Sequence, residues 1–389
     1  MTSSIYSRDR IFWLLALQTG VFGIFMGGFG PALPLLRADQ GTSAAIAGLH
    51  GTALGVASII AGYLNAPVVH KFGRYKSIWL GLIVFNIGAM SFIILPKPWQ
   101  TITAILIAGI GLSTAVNNSF TYLSSHYKQN SARALSQANG VNSLFVLLGN
   151  FVVGMIAGTQ FSWRLGLILC LPFAIILYLL LGRQHNPEHV PDESGRQRGS
   201  LSAKYWLSWT GLLFTIAAEF AIAFWGAALF REKTGVTAAT ATTLMLAFPL
   251  GMMVARWFGT YVLPELSVDA RLKLIIALQG ISFMVFWTSE IVITSFIALF
   301  AVGMGTSMQF ALSSLRLLTI EKDKPDLAMG KSSLSAGIAI GLSPLFLGFL
   351  ADEFGIVNGF LLVPTLILAA FTIVSLVPSE TRTKKREIK

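Results

Sequence analysis

Leu35-Leu36-Arg37-Ala38-Asp39-Gln40-Gly41-Thr42-Ser43-Ala44-Ala45-Ile46-Ala47 is answered 194 residues later by Leu229-Phe230-Arg231-Glu232-Lys233-Thr234-Gly235-Val236-Thr237-Ala238-Ala239-Thr240-Ala241. The same offset lays Gly109-Ile110-Gly111-Leu112-Ser113 on Gly303-Met304-Gly305-Thr306-Ser307, and Ala134 and Gly154 on Ala328 and Gly348. That offset is half of the 389-residue chain. The chain is therefore read as two parallel copies of one unit, and both copies are made of long apolar segments.

Hydrophobic residues make up 54% of the chain and charged residues 12%, with a mean hydropathy of +0.70. A soluble domain carries roughly 25% charged residues, so this chain lacks the groups to cover a water-facing surface. Apolar runs of 18 or more residues recur from end to end, the mark of membrane-spanning helices. The fold class expected is an all-α membrane protein with twelve transmembrane helices in two pseudo-symmetric six-helix halves. The spans are placed at 11–35, 44–69, 77–95, 100–124, 134–158, 164–182, 204–230, 238–263, 271–289, 291–318, 328–351 and 356–377. Residues 1–182 then form the N-terminal bundle, 183–203 a cytoplasmic linker rich in proline, glycine and charge, and 204–389 the C-terminal bundle. Gly23/Gly27, Gly51/Gly55 and Gly154/Gly158 have the GxxxG spacing and are read as helix-packing surfaces.

The net charge of +11 is a topology signal rather than a nucleic-acid signal. With both ends on one side, twenty-one Lys and Arg gather there and five on the other. That bias puts both termini in the cytoplasm. The expected location is the inner membrane of a prokaryote, as a multi-pass protein. The single cysteine, Cys170, rules out an intrachain disulfide and makes a metal cluster improbable. The first span is too long for a cleaved signal peptide and is expected to stay. No soluble stretch is large enough for a nucleotide site and no Walker-type phosphate loop is present, so any transport is expected to run on a gradient. No cofactor, no enzyme activity and no nucleic-acid partner are expected. The bilayer, a small-molecule substrate and protons are, and the chain is expected to act as a monomer.

Two six-span halves, a mid-chain cytoplasmic loop and a basic loop after span two resemble the major facilitator superfamily along the whole chain. The loop signature of that family, G-x-x-x-D-[RK]-x-G-R-[RK], falls on Ala66-Pro67-Val68-Val69-His70-Lys71-Phe72-Gly73-Arg74-Tyr75. Lys71, Gly73 and Arg74 match, while Ala66, His70 and Tyr75 depart from it. The resemblance implies a gating role for His70, Lys71, Gly73 and Arg74. Where the family places an acid in a charge network that closes the cytoplasmic side, His70 contributes charge only when protonated. The plainer reading is a degenerate loop in which Lys71 and Arg74 still meet lipid headgroups and helix ends. The family's fourth-span arginine position is occupied by Ile105, and the fifth span lacks the Gly-Pro of family antiporters. Both departures weaken an assignment as a drug–proton antiporter.

An ionisable group in hydrocarbon is costly unless it faces water or a partner, so each one needs a reason. Glu219, in the middle of span seven, is the candidate proton carrier, since a carboxyl there can be carried charged or neutral; a structural pair with an arginine is the alternative. Arg256, in Val254-Ala255-Arg256-Trp257-Phe258-Gly259, resembles the helix-eight arginine of family members that carry carboxylates. Its fork suits a carboxylate, and a gate role is the alternative. Arg316, near the end of span ten, closes a polar stripe with Thr306, Gln309 and Ser313; snorkelling to the interface is its alternative. Span four offers Asn117 and Asn118, span five Asn139, Asn142, Ser143 and Asn150, and span one Gln18 beside Phe22 and Met26. The resemblance implies that spans one, four, seven and ten, with five, line a central cavity. Substrate contacts are therefore expected from Arg256, Arg316, Gln309, Asn117, Asn118 and Gln18. The function expected is secondary active transport by alternating access, proton-coupled, of a small organic anion or polar metabolite. Efflux of drugs or hydrophobic compounds is the second reading, and a lipid carrier or a non-transporting sensor the third.

Overall fold

A computed structural model describes residues 7–127, 130–182, 199–262 and 266–379. The linker at 183–198 and the basic tail at 380–389 lie outside the described residues. Twelve helices are long and apolar enough to cross a membrane, and among the described residues there is no strand. The protein is a multi-pass membrane protein.

The first half comprises α1 (Arg10–Phe29), α2 (Leu33–Gln40), α3 (Ala44–Phe72), α4 (Arg74–Ile94), α5 (Pro98–Tyr127), α6 (Ser131–Ala157) and, after a 3₁₀ turn at Trp163–Leu169, α7 (Cys170–Leu181). The second comprises α8 (Ala203–Thr234), α9 (Ala238–Leu244), α10 (Ala247–Val262), α11 (Val268–Thr288) and α12 (Val292–Thr306). It continues through α13 (Gln309–Ile320), α14 (Pro325–Phe354), α15 (Ile356–Gly359) and α16 (Leu362–Leu376). With an even number of spans, both ends emerge on one side, here called the terminal face; the other is the far face.

The sequence repeat is a structural repeat in register. Gly41 and Gly235 both end their helices with positive φ, +60° and +70°, a conformation open to glycine without a Cβ penalty. Two residues on, Ser43 accepts a hydrogen bond from Ile46 N–H and Thr237 from Thr240 N–H, each starting the next helix. The Gly-x-Gly pairs repeat their packing as well. A Cβ on Gly111 would lie 2.3 Å from Phe85 N, and one on Gly305 2.6 Å from Gln279 N. Phe85 and Gln279 are themselves 194 apart. Helix backbones approach this closely only where a residue has no side chain. The GxxxG glycines also pack: Gly27 meets the Val146 carbonyl, Gly55 meets Gly341, and Gly154 meets Thr243.

Several spans that read as continuous in sequence are interrupted. Span one breaks at Gly30–Ala32, span eight between Leu244 and Ala247, and span ten between Thr306 and Gln309. Pro31 and Pro249 account for the first two. Neither donates an N–H, and the ring displaces the carbonyl four residues back. In span ten, Ser307 turns its hydroxyl onto the Met304 carbonyl at 2.9 Å, competing with the helix ladder.

On the far face the halves are in close contact. A Cβ on Gly48 would lie 2.7 Å from Leu345 Cα, and one on Gly348 2.5 Å from the Ala44 carbonyl. Within the second half, Trp225, fully buried, donates to the Pro344 carbonyl at 2.9 Å. Asn150 donates across the halves to the Thr242 carbonyl at 3.1 Å.

Candidate functional site

Between the halves lies a cavity of about 450 Å³, within the ~300–1,000 Å³ usual for small-molecule sites. Gly30, Pro31 and Ala223 line one end of it, where a Cβ on Gly30 would lie 3.1 Å from the Ala223 carbonyl. From there it extends along Leu112–Phe120 of α5, Asn139–Asn150 of α6 and Met245–Arg256 of the α9–α10 span toward the terminal face. The apolar part of its wall includes Phe22, Phe120, Phe220, Phe224, Phe248 and Met252.

Two charged groups enter this cavity. Glu219 comes from the middle of α8 and Arg256 from α10. No ion pair within 4 Å joins them. Among the described residues no hydrogen bond engages the Glu219 carboxylate. Arg256 is held by two bonds. Its Nε donates to the Ser307 carbonyl at 3.2 Å and its Nη1 to Ser143 Oγ at 2.7 Å. Ser143 belongs to α6, so the second bond crosses between the halves. Nη2 makes no bond among the described residues. The break in span ten exposes the Ser307 carbonyl that receives Nε, which links the helix interruption to the site.

The amides divide into used and unused. Asn117 is exposed to the cavity, and Asn142 lines it. Asn150 spends its Nδ2 on Thr242 and leaves Oδ1 buried without a partner. A buried acceptor in that state favours a ligand donor. Asn118, by contrast, is buried and occupied, with Nδ2 bonded to Asn65 Oδ1 at 2.6 Å and to the Thr114 carbonyl at 2.8 Å.

Span ten differs from expectation: none of its residues lines the cavity, and spans two, eight and eleven contribute instead. Its polar stripe is turned toward α11. Gln309 Nε2 bonds Gln279 Oε1 at 2.8 Å, and Gln279 Nε2 bonds Thr306 Oγ1 at 3.0 Å. Arg316 is buried and pairs with Asp269 at 2.9 Å, and its Nη2 also donates to the Val377 carbonyl. The second oxygen of Asp269 accepts from Ser379 N–H at 2.7 Å. Arg316 and Gln309 therefore hold spans nine, ten and twelve together and do not reach the cavity. The sequence reading missed both partners, Gln279 and Asp269, because a polar residue on an apolar helix does not show which neighbour it meets. Gln18 is buried in α1 a turn before Phe22, outside the lining. His50 is buried and bonded to Thr101 Oγ1 at 2.9 Å and to the Ala47 carbonyl at 2.8 Å.

At the loop signature, His70 and Lys71 are exposed at the end of α3, with Lys71 Nζ 5.3 Å over the Phe72 ring. Among the described residues no bond or ion pair engages the His70 ring. Tyr75 donates to the Gly182 carbonyl at 2.8 Å, tying the start of α4 to the end of α7. Gly73 carries φ +77° between α3 and α4.

The family model of the Major Facilitator Superfamily matches residues 15–320. The MFS-type transporter YfkF of Bacillus subtilis (strain 168), itself uncharacterised, is 29% identical over 189 residues, covering 47% of each chain. Inositol transporter 4 of Arabidopsis thaliana is 27% identical over 184 residues, covering 44% of this chain and 31% of its own. The chain spans less than half the length of the curated relatives it matches. In fold, it is similar to a bacterial homologue of the human lysosomal transporter Spinster in an inward-facing and occupied conformation. That likeness has a TM-score of 0.76 at 14% identity over 97% of both chains. Repeat, spans and family match agree: this chain belongs to the major facilitator superfamily.

Proposed function

We propose that the protein is a proton-coupled secondary transporter of a small polar metabolite bearing an anionic group, working by alternating access. The observation that carries this reading is the placement of one acid, Glu219, and one base, Arg256, in the same inter-half cavity. Arg256 offers its free Nη2 edge to the anion, a geometry that suits an oxyanion better than a point charge would. Glu219 competes for the same cation. Protonating it leaves the arginine to the substrate; releasing the proton restores the competition and favours substrate release. Proton and substrate are then coupled through one shared charge. Asn117, Asn142 and the unpartnered Asn150 oxygen orient the polar part, and the aromatic wall takes the apolar part. The substrate-binding set proposed is thus Arg256, Asn117, Asn142 and Asn150, with Glu219 as the proton site.

The strong basic bias toward the terminal face supports placing it in the cytoplasm, the side toward which the α5, α6 and α10 lining of the cavity runs. The likeness to Inositol transporter 4 supports a small polar metabolite in kind; the anionic group rests on Arg256 alone. The test is proton movement in proteoliposomes, followed by a pH dye while organic anions, neutral polyols and cationic drugs are added in turn. Proton flux with an anion class, lost in Glu219→Gln, supports the reading. Flux evoked by several unrelated cationic drugs transfers the assignment to efflux.

A further inference from the structure

On the far face a carboxylate reaches from one half to the other. Asp352, at the end of α14, accepts from Ala44 N–H through Oδ1 and from Ala45 N–H through Oδ2, both at 2.8 Å. Ala44 and Ala45 open α3. Both oxygens are therefore spent on unpaired first-turn donors of a helix in the other half, where the helix dipole also favours negative charge. Ser43 caps the same helix from within, bonding Ile46 N–H, so the two caps divide the donors between them. Arg37 Nη2 stands 3.7 Å from Asp352 Oδ1 and adds a third link across the halves.

The surroundings show that this contact is particular to one place. The 194-residue offset carries Asp352 back to Gly158 and Ala44 forward to Ala238, so the symmetric position has no acid. Thr237 alone caps that helix. Asp352 sits in a frame of its own, Gly348-Phe349-Leu350-Ala351-Asp352-Glu353-Phe354-Gly355, which lies in step with Ala66-Pro67-Val68-Val69-His70-Lys71-Phe72-Gly73. Both frames end their helix at a glycine of the same conformation: φ +80° and ψ 156° at Gly355, φ +77° and ψ 158° at Gly73. α3 and α14 run antiparallel along each other, with Gly48 beside Leu345, Gly55 beside Gly341 and Ile59 beside Gly337. The two frames therefore end on opposite faces. On the terminal face the position equivalent to Asp352 is His70, exposed and without an ionic partner among the described residues.

We propose that Asp352 is a one-sided latch: it clasps the start of α3 to hold the far face shut, and the absence of its counterpart at His70 sets the resting equilibrium toward the state open at the terminal face. When the halves rock the other way, Asp352 must surrender two charge-assisted hydrogen bonds at once. Nothing of equal strength is gained on the opposite face. Substrate and proton binding in the central cavity then have to supply the difference, which makes opening of the far face the step most dependent on ligand.

The test is a pair of distance measurements by double electron–electron resonance, which needs no knowledge of the substrate. Spin labels at Lys97→Cys and Asn358→Cys, in a Cys170→Ala background, report the far face; labels at Lys76→Cys and Lys322→Cys report the terminal face. In nanodiscs without ligand, the parent protein should show a short far-face distance. Asp352→Asn should raise the population of a longer far-face distance roughly tenfold, the scale of losing one bond to a charged group. The terminal-face pair should shorten in the same proportion. Asp352→Ala should do so at least as strongly, and guards against residual bonding by the asparagine oxygen. Unchanged far-face distances in both variants would overturn the proposal. So would lengthening there without shortening at the terminal face, which marks local loosening rather than rocking of the halves.

Discussion

Arg256 donates from Nη1 to Ser143 Oγ at 2.7 Å, from the second half of the chain to the first. Inside the central cavity this bond links the only arginine of the lining to the opposite bundle. The arginine is thus tied to the relative position of the halves as well as facing the cavity. Replacement by lysine removes the planar fork and the chance of two parallel bonds. Arg256→Lys is expected to raise the substrate Kd about tenfold or more, whereas Ser143→Ala should change it less and alter mainly the turnover rate. Binding titration and counterflow on the two variants separate the effects.

Glu219 has a different expected signature. In Glu219→Gln the side chain keeps its size and loses its charge, so substrate should still bind and exchange. Accumulation driven by a pH gradient should fall at least tenfold while counterflow without a gradient persists. Loss of both would mean that Glu219 holds the fold or the substrate rather than the proton.

The Arg316–Asp269 pair makes a prediction about stability alone. Removing one partner of a buried ion pair typically costs about 3–5 kcal/mol, because the other charge stays behind. Asp269→Ala should lower the melting temperature clearly, with substrate affinity in the surviving protein unchanged. A matched change in affinity would return Arg316 to the substrate site.

On the terminal face, Asp9 caps α1 and ties it to the end of α5. Its Oδ1 accepts from Phe12 N–H and from Tyr127 Oη, and its Oδ2 lies 2.6 Å from His126 Nε2. Partial burial works to raise the Asp9 pKa, but the Phe12 N–H, His126 and Tyr127 outweigh it and hold the carboxyl below its ordinary value. A depressed folded pKa contributes stability above the unfolded value, near 4, and that stability is lost as pH falls through the folded value. The melting advantage of the native protein over Asp9→Asn should therefore be full at neutral pH and shrink below about pH 4. Melting curves against pH check this; an advantage that grows on acidification would contradict the assignment.

Much of the fold was legible in the order of residues. A parallel repeat cannot hide its offset, and a bilayer demands long apolar runs, so twelve spans and two halves follow from patterning. The repeat also carries Gly41-x-Ser43 onto Gly235-x-Thr237, and the structure ends and restarts a helix at both, because positive φ and side-chain capping are local properties. Glu219 and Arg256 stood out for the same kind of reason: a charge in an apolar run is conspicuous by itself.

Rotation about each helix axis is what the order of residues did not contain. Gln309, Arg316 and Asn118 carry the same polarity as Asn117 and Asn150, yet the first three are spent on Gln279, Asp269 and Asn65. Hydrogen bonds between spans are set by which faces meet, and several rotations of an apolar helix satisfy the bilayer equally well. Asp352 shows the same limit from the other side. It sits at a helix end, where an acid is unremarkable, and only the antiparallel packing of α3 and α14 brings it onto the two free N–H groups of the opposite half. Spans, repeat and charged suspects belong to the sequence; the cavity and the latch belong to the tertiary structure, because both exist only between surfaces that the fold has turned toward each other.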